Sequence, residues 1–418
     1  MPHTVLTFIA KVAPGKVRQL KEFLAEIEKN PRDNPHVPFG SLKKLHFASM
    51  VIFPDDHFGP YLVFENNFDG PLEPYLNDLY EYAAAGLHRI YGHCLDYRVA
   101  GANDRAGMIA YLRAHVVRPA AYHIGNTGRT AEQIKHEADL RSGLETFLDG
   151  VARKGGAKAS PVNLRRQIQE FVKSNPAWSW AAHVRPRMTF IERYGPWAKL
   201  GGLVLLTLFL LPVVLPLLII FVIVLRHREK TDPSVIGLPS PEHVRELAGR
   251  EDNIVQNHMA NMSTVKPGLF RGMTIKAVLG LTNLVARVST NGKLSGLDSL
   301  HFAHWALIDD GKRLLFLTNY DGSWENYLDD FIDKSSIGLT GIWSNTVNFP
   351  RTRFLVFGGA QDGPRFKAIS RTNQVYTNVW YSAYEDLTVK TIDNNSSIHE
   401  DLWQSLDETA TRRWLWRF

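Results

Sequence analysis

The order of apolar and polar positions divides the chain into short segments of changing period. Residues 4 to 12 read as a strand, and Pro14-Gly15 turns the chain into "KVRQLKEFLAEIEK", whose apolar positions Val17, Leu20, Phe23 and Leu24 recur at helical spacing. "LHFASMVIF" and "YLVFENNF" follow as two strands joined by the polar turn "PDDHFG". Asp69-Gly70 ends the second strand. Pro71 and Pro74 suit the first turn of a helix that runs to about residue 91, and a last strand is expected near residues 120 to 124. The order so read is β-α-β-β-α-β.

The same order returns in the second half. "AKVAPGKVRQL" matches "STVKPGLFRGM", "LHFASMVIF" matches "LHFAHWALI", and "FDGPLEPYLNDL" matches "YDGSWENYLDDF". "GLHRIYGHCLDYR" then matches "GLTGIWSNTVNFP", and "AYHIGNTGRTAEQI" matches "WYSAYEDLTVKTI". Matches in one order with similar gaps mark an internal duplication. The expected class is α+β, with repeats over residues 1–150 and 253–406, the second having a longer first helix near 268 to 289. Between them lie a basic, Trp-containing linker (151–199), a hydrophobic membrane segment (200–225) and a second linker (226–252); a basic aromatic tail (407–418) ends the chain. Each repeat has the ferredoxin-like, split-βαβ order, and two such units are expected to close face to face as an α+β barrel.

Residues 200 to 225, "LGGLVLLTLFLLPVVLPLLIIFVIVL", carry no charge. As one helix they would reach about 39 Å, enough to span a hydrocarbon core of about 30 Å with tilt. Pro212 and Pro216 at the middle predict a break into two arms of about 12 residues, each reaching one leaflet. If the two repeats close on each other they lie on one side of the membrane, and the segment must be a re-entrant hairpin. Arg185, Arg187, Arg193 and Lys199 before it and Arg226, Arg228 and Lys230 after it place both flanks, and so both repeats, in the cytoplasm. The alternative is a single-pass helix with a proline kink, the N-terminal repeat cytoplasmic and each repeat pairing with its copy in another chain, a homo-oligomer.

Charge sharpens the partner list. The formal net charge is +6, and the excess is concentrated between 151 and 199, where Glu170 and Glu192 are the acids among many Lys and Arg. A basic block beside an apolar segment points to a bilayer with anionic headgroups, and the chain has no zinc-ligand spacing or recognition module for nucleic acid. Trp178, Trp180 and Trp197 of the linker, and Trp414, Trp416 and Phe418 among the arginines of the tail, are expected at the membrane interface or packed on a neighbouring unit. The opening "MPHTVLTFIAKVAPGK" lacks a secretory signal, and the lone Cys94 fits a reducing compartment.

Candidate chemistry sits in the repeated signature. His46 is expected to share a strand face with Ala48 and Met50, and His301 with Ala303 and Trp305. Asn67 shares a face with Asp69, and Asn319 with Asp321. If register joins those faces, each repeat holds a His-Asn-Asp cluster able to act as a base or to bind metal. The structural alternative is that Asp69 and Asp321, each before a glycine at a strand-to-helix junction, are caps. No P-loop, G-x-G-x-x-G, G-x-S-x-G or H-E-x-x-H motif is present.

Over its two repeats the chain resembles the dimeric α+β-barrel superfamily, which includes antibiotic-biosynthesis-type monooxygenases, chlorite dismutases and dye-decolourising peroxidases. The peroxidases carry a G-x-x-D-G motif with a distal aspartate; here "NNFDG" and "TNYDG" put Asn66 and Thr318 at the first glycine. The resemblance implies an oxidoreductase of peroxidase or monooxygenase type with haem as its candidate cofactor, and His399 in "NNSSIHEDL" is the candidate axial ligand. The expectation is a membrane-anchored oxidoreductase-like protein acting on an apolar small molecule drawn from the bilayer, with His46, His301, Asn67, Asn319, Asp69 and Asp321 at its site. The alternative is a non-catalytic module that binds a lipophilic ligand or protein partners.

Overall fold

The computed structural model describes residues 3–55, 58–154, 160–182, 190–233, 237–288 and 296–418. Lys158, Arg185 and Arg187 of the basic linker lie outside the described residues, as do the side chains of Glu192 and Arg193. The first half runs β1 (His3–Lys11), α1 (Val17–Glu28), β2 (Leu45–Phe53), β3 (Tyr61–Asp69), α2 (Leu72–Tyr91), α3 (Arg105–Ala114), β4 (Val116–Val117), β5 (Ala121–Ile124) and α4 (Ala131–Arg153). Next come α5 (Pro161–Ser174), α6 (Phe190–Phe209), α7 (Leu211–Thr231) and α8 (Pro241–Ala248). The second half runs β6 (Gln256–Thr264), α9 (Leu269–Val288), β7 (Leu300–Ile308), β8 (Arg313–Asp321), α10 (Trp324–Trp343), β9 (Thr352–Arg353), β10 (Phe357–Gly358), α11 (Gly363–Asn373), β11 (Gln374–Val375), β12 (Val379–Ser382), α12 (Val389–Asp401) and α13 (Glu408–Leu415).

These elements form a mixed α+β fold with two antiparallel five-stranded sheets, ordered β12-β2-β3-β1-β4 and β11-β6-β8-β7-β5. Every position of β2 and β3 is buried, which requires cover on both faces and explains their near-continuous apolar sequence. On one face Phe8, Met50 and Phe64 pack with Leu20, Phe23, Leu76 and Leu79 of α1 and α2. On the other, Val51 and Val63 meet Ala260, Met262, Ala306 and Leu315 of the second sheet. That sheet's outer face carries Trp305 and Phe316 against Phe331 and Trp343 of α10.

The last strand of each half corrects the expected closure within a repeat. β5 pairs with β7 of the other sheet, Ala121 opposite Trp305 and Ile124 opposite Phe302. β12 in turn pairs with β2, Val379 opposite Met50 and Ser382 opposite Phe47. Within its own half, β1 finds only the two-residue β4 at its edge. The open edges of β2 and β7 are thus satisfied by exchange. The exchange is matched residue for residue, because Met50 and Trp305 hold the same place in the two LHFA strands.

The described parts of the linker and the tail are folded. Leu140 and Leu144 of α4 pack with Ile168 and Val172 of α5, Leu402, and Trp414 of α13. Trp414 is 2% exposed and donates its indole N–H to the Ile398 carbonyl at 3.1 Å, whereas Trp416 is 75% exposed. Packing on neighbouring helices therefore claims Trp414, while Trp178 and Trp180 are half-buried and Trp197 is exposed.

The apolar segment breaks at Leu210, but its arms are α6 and α7, of 20 and 21 residues rather than about 12. Pro212 falls in the first turn of α7, where an amide has no helical partner to lose, and Pro216 is accommodated inside the helix. Residues 201 to 213 are exposed at every position, Phe209 at 81%. α6 packs on α9. The end of α7 is fixed to the second half: Phe221 meets Phe270, Arg271 pairs with Asp232 at 2.7 Å, and the buried Glu229 accepts from the Phe354 and Leu355 amides at 3.1 and 3.0 Å. By length and composition, Leu211–Thr231 and Leu269–Ala286 could each cross a membrane, the second being the long first helix expected for the second repeat.

Candidate functional site

The repeated histidines owe their positions to a backbone irregularity. The β2–β3 and β7–β8 ladders each shift register, between Leu45 and Phe47 and between Leu300 and Phe302. His46 and His301 are the extra residues of these bulges, which re-aim a side chain. Each thereby reaches the aspartate ending the neighbouring strand: His46 Nε2 lies 3.0 Å from Asp69 Oδ1, and His301 Nε2 lies 2.7 Å from Asp321 Oδ1. The glycine after each aspartate has positive φ, +90° at Gly70 and +80° at Gly322, a turn that side chains resist.

Both aspartates are caps, though of unexpected helices. Asp69 Oδ2 accepts from the Ala131 amide at the start of α4, and Asp321 Oδ2 from the Val389 amide at the start of α12, each at 2.8 Å. The helices directly after them begin at Pro71 and Ser323 instead. The bulges also correct the expected His-Asn-Asp grouping. They set Asn67 opposite Phe47 and Asn319 opposite Phe302, facing the gap between the sheets and away from either histidine. The LHFA copies meet there: the Phe47 and Phe302 rings are 5.6 Å apart, and each packs on the other copy's histidine at 5.2 and 5.4 Å.

The two histidines differ in their second nitrogen. His46 Nδ1 pairs with the Tyr384 hydroxyl at 2.8 Å, giving a buried Tyr384–His46–Asp69 chain drawn from both halves. Asn126 holds the matching place after β5 but donates to Asp393, and His301 Nδ1 is buried without a partner. Burial pushes the Tyr384 phenol well above its ordinary pKa and His46 below its own, the latter despite the bond to Asp69. Burial opposes the charge on Asp69 as well, but contacts from His3 and His46 and the Ala131 amide outweigh it and hold the carboxyl well below the usual range.

Among the described residues, His3, His46 and Asp69 bring ligand atoms close enough together for a metal ion. The donor set does not fit one. His3 Nε2 accepts from the Gly128 amide at 2.7 Å, so the ring proton sits on Nδ1, the atom 3.1 Å from Asp69. A proton occupies the position a metal would need. Haem fits no better at His399, on α12, whose Nδ1 faces Glu137 at 3.0 Å and whose Nε2 faces the Ala181 carbonyl at 3.2 Å. Both nitrogens face oxygen acceptors, so neither is free for iron.

A second polar centre, absent from the pattern reading, lies deeper between the sheets. Glu65 is fully buried. Its Oε2 accepts from Ser49 and His258 at 3.0 Å, and its Oε1 accepts from Asn67 at 3.0 Å and Asn319 at 3.3 Å. His304 Nδ1 stands 3.4 Å away, with its Nε2 on Thr7 at 3.2 Å, and His258 Nδ1 reaches Thr377 at 2.6 Å. Burial would raise the Glu65 pKa, but the His258 bond and the neighbouring His304 and Asn67 bring it down to about 2. Burial keeps His304 below its ordinary value. The acid comes from one half and both imidazoles from the other. A lone Glu inside the apolar strand "YLVFENNF", and Ser49 against His304 in the matched LHFA strands, were the available signals.

No family model, curated protein or solved structure matches the chain.

Proposed function

We propose that the protein is a membrane-anchored module, two ferredoxin-like repeats closed into one barrel, that serves as a non-catalytic binding or organising unit at the membrane face. The observation that carries this is the apolar stretch of residues 201 to 213, exposed around the whole circumference of its helices. A helix apolar on every side calls for hydrocarbon on every side, since an interfacial helix keeps one polar face. The candidate catalytic groups support the same reading: the aspartates hold helix starts, the bulge histidines hold the aspartates, and the asparagines hold Glu65.

The strand exchange supports a re-entrant topology. Two halves that share both sheets occupy one compartment, so a segment between them enters and leaves the bilayer on the same side. Both flanks also return to α9, through α6 on one side and through Phe221 on the other. Lys199, Arg226, Arg228 and Lys230 favour the cytoplasmic side. Protease protection of tags at the two termini tests this, with the expectation that both tags share one side. A tag on each side would end the reading.

The Tyr384–His46–Asp69 chain favours a second reading, an oxidoreductase acting on an apolar, membrane-partitioning molecule, because a phenol, imidazole and carboxylate bonded in line can relay a proton to or from a bound substrate. A visible spectrum and metal analysis of detergent-purified protein separate the two. The binding-module reading expects a colourless, metal-free protein, and a stoichiometric chromophore or metal lost in His46→Ala would replace it with the enzyme.

A further inference from the structure

We infer that the second half carries an additional bilayer-contacting surface, formed by the outer face of α9 and the β9–β10 tip, which lays this half against the lipid headgroup–acyl boundary. The inference rests on the membrane reading of α6 and α7 and goes beyond an anchor to an oriented body. The outward positions of α9 include Leu269, Met273, Leu281 and Val285, exposed at 80%, 62%, 57% and 49% with α6 already in place. Lys276 interrupts this stripe, and Arg271, the charge nearest its start, is turned inward to Asp232. A soluble helix would show water a polar face.

The hairpin tip extends the surface. Phe354 and Phe357 are exposed and flanked by exposed Arg353. Phe354 and Leu355 take positive φ, 55° and 65°, and their amides are held by Glu229, so the base of the membrane helix fixes the tip in this shape. The Arg226 guanidinium lies 4.8 Å over the Phe354 ring. Aromatic rings beside arginine at the end of an apolar helix have the chemistry of the membrane interface. A side chain added at the buried Gly341 of α10 would meet Val278 of α9 and the Leu355 carbonyl of the tip, so α10 backs both elements. Continuity with α6 and α7, both in contact with α9, favours lipid as the occupant over a second copy or another protein.

Single cysteines at Met273, Leu281 and Phe354, with Leu217 as the anchor control and the exposed Tyr82 of α2 as the aqueous control, test it in the full chain. Cys94 is buried and its thiol is pushed up to about 12, so an introduced cysteine takes the label. Each variant carries an environment-sensitive nitrobenzoxadiazole probe in vesicles of mixed zwitterionic and anionic phospholipid. The expected result is blue-shifted emission, quenched by a lipid-borne nitroxide and protected from aqueous iodide, at Leu217, Met273, Leu281 and Phe354 but not at Tyr82. Lipid quenching at Leu217 alone, with iodide reaching the other three, would overturn the inference and leave the anchor standing. Protection of the three from both quenchers would give the surface to protein instead of lipid. Iodide quenching at Leu217 would remove the anchor, and the inference with it.

Discussion

Replacing Glu65 should separate its charge from its hydrogen bonds. In Glu65→Gln the amide oxygen must stay on the side of Asn67 and Asn319, which both offer N–H groups. The new NH2 then faces Ser49 and His258 Nε2. His258 accommodates it by carrying its proton on Nδ1, toward Thr377. All partners remain paired, and the loss is that of charge-assisted bonding, about 1.5–3 kcal/mol. Glu65→Leu, the residue its counterpart Leu317 already is, strands the Asn67 and Asn319 donors in a dry interior and leaves Ser49 and His258 only each other, 3.2 Å apart. At roughly 1–3 kcal/mol for each stranded group, added to the lost charge-assisted bonds, the cost is about 4 kcal/mol or more, enough to unfold a marginal domain. Acid titration gives a second handle. Glu65 has a folded pKa of about 2, below its unfolded value, so its contribution is complete above the unfolded pKa near 4.5 and is lost as the pH falls through about 2. The loss amounts to about 3 kcal/mol at most, and Glu65→Gln should abolish that limb. Urea unfolding in mild detergent, followed by tryptophan fluorescence from pH 2.5 to 7.5, measures both. Equal stability of the Gln and Leu variants, each near the parent, would refute the view that this carboxylate organises the space between the sheets.

His46 and His304 are held neutral by burial, so the unfolded chain takes up protons first and stability should fall as the pH drops below about 6.5, by up to about 1.4 kcal/mol per pH unit for each group. His304→Asn should flatten that slope in the same titration. Asp321→Asn should cost about 1–2 kcal/mol in thermal unfolding as a weakened cap. Asp69→Asn should cost more, by about 1 kcal/mol, because Asp69 also faces His3. Tyr384→Phe should lower stability by about 1–2 kcal/mol through a stranded His46 Nδ1, whereas Asn126→Ala, at the matching position, should leave the His301 environment unchanged by imidazole NMR.

The strands and first helices were legible because their periods are local. Val17, Leu20, Phe23 and Leu24 describe α1 whatever surrounds it, and five matched stretches sufficed to align the halves. The exchange of β5 and β12 was not legible, since residues 121 to 124 and 379 to 382 look the same whether they pair at home or across. The bulges at His46 and His301 defeated the alternation rule in the same way. Period two predicts a face only while the ladder is unbroken, and one extra residue moved each histidine to its aspartate and left the asparagines behind. Glu65 was visible as a charge in an apolar strand, but its meaning depends on His258, nearly two hundred residues away.

That distance bears on the rival topology, in which each repeat pairs with its copy in another chain. Register sets Val5 against His258, Ser49 against His304 and Glu65 against Leu317 as matched positions of the two halves. A pair of first halves would therefore face two Glu65 carboxylates with neither His258 nor His304 beside them, and like charges in a dry interior cannot both stay ionised. A pair of second halves would bury two copies each of His258 and His304 without the Glu65 carboxylate. Only a first half joined to a second gives the carboxylate its imidazole donors. The two halves are complementary at this centre, Glu65 from one and His258 and His304 from the other, and that complementarity is the argument for the proposed one-sided topology over the rival.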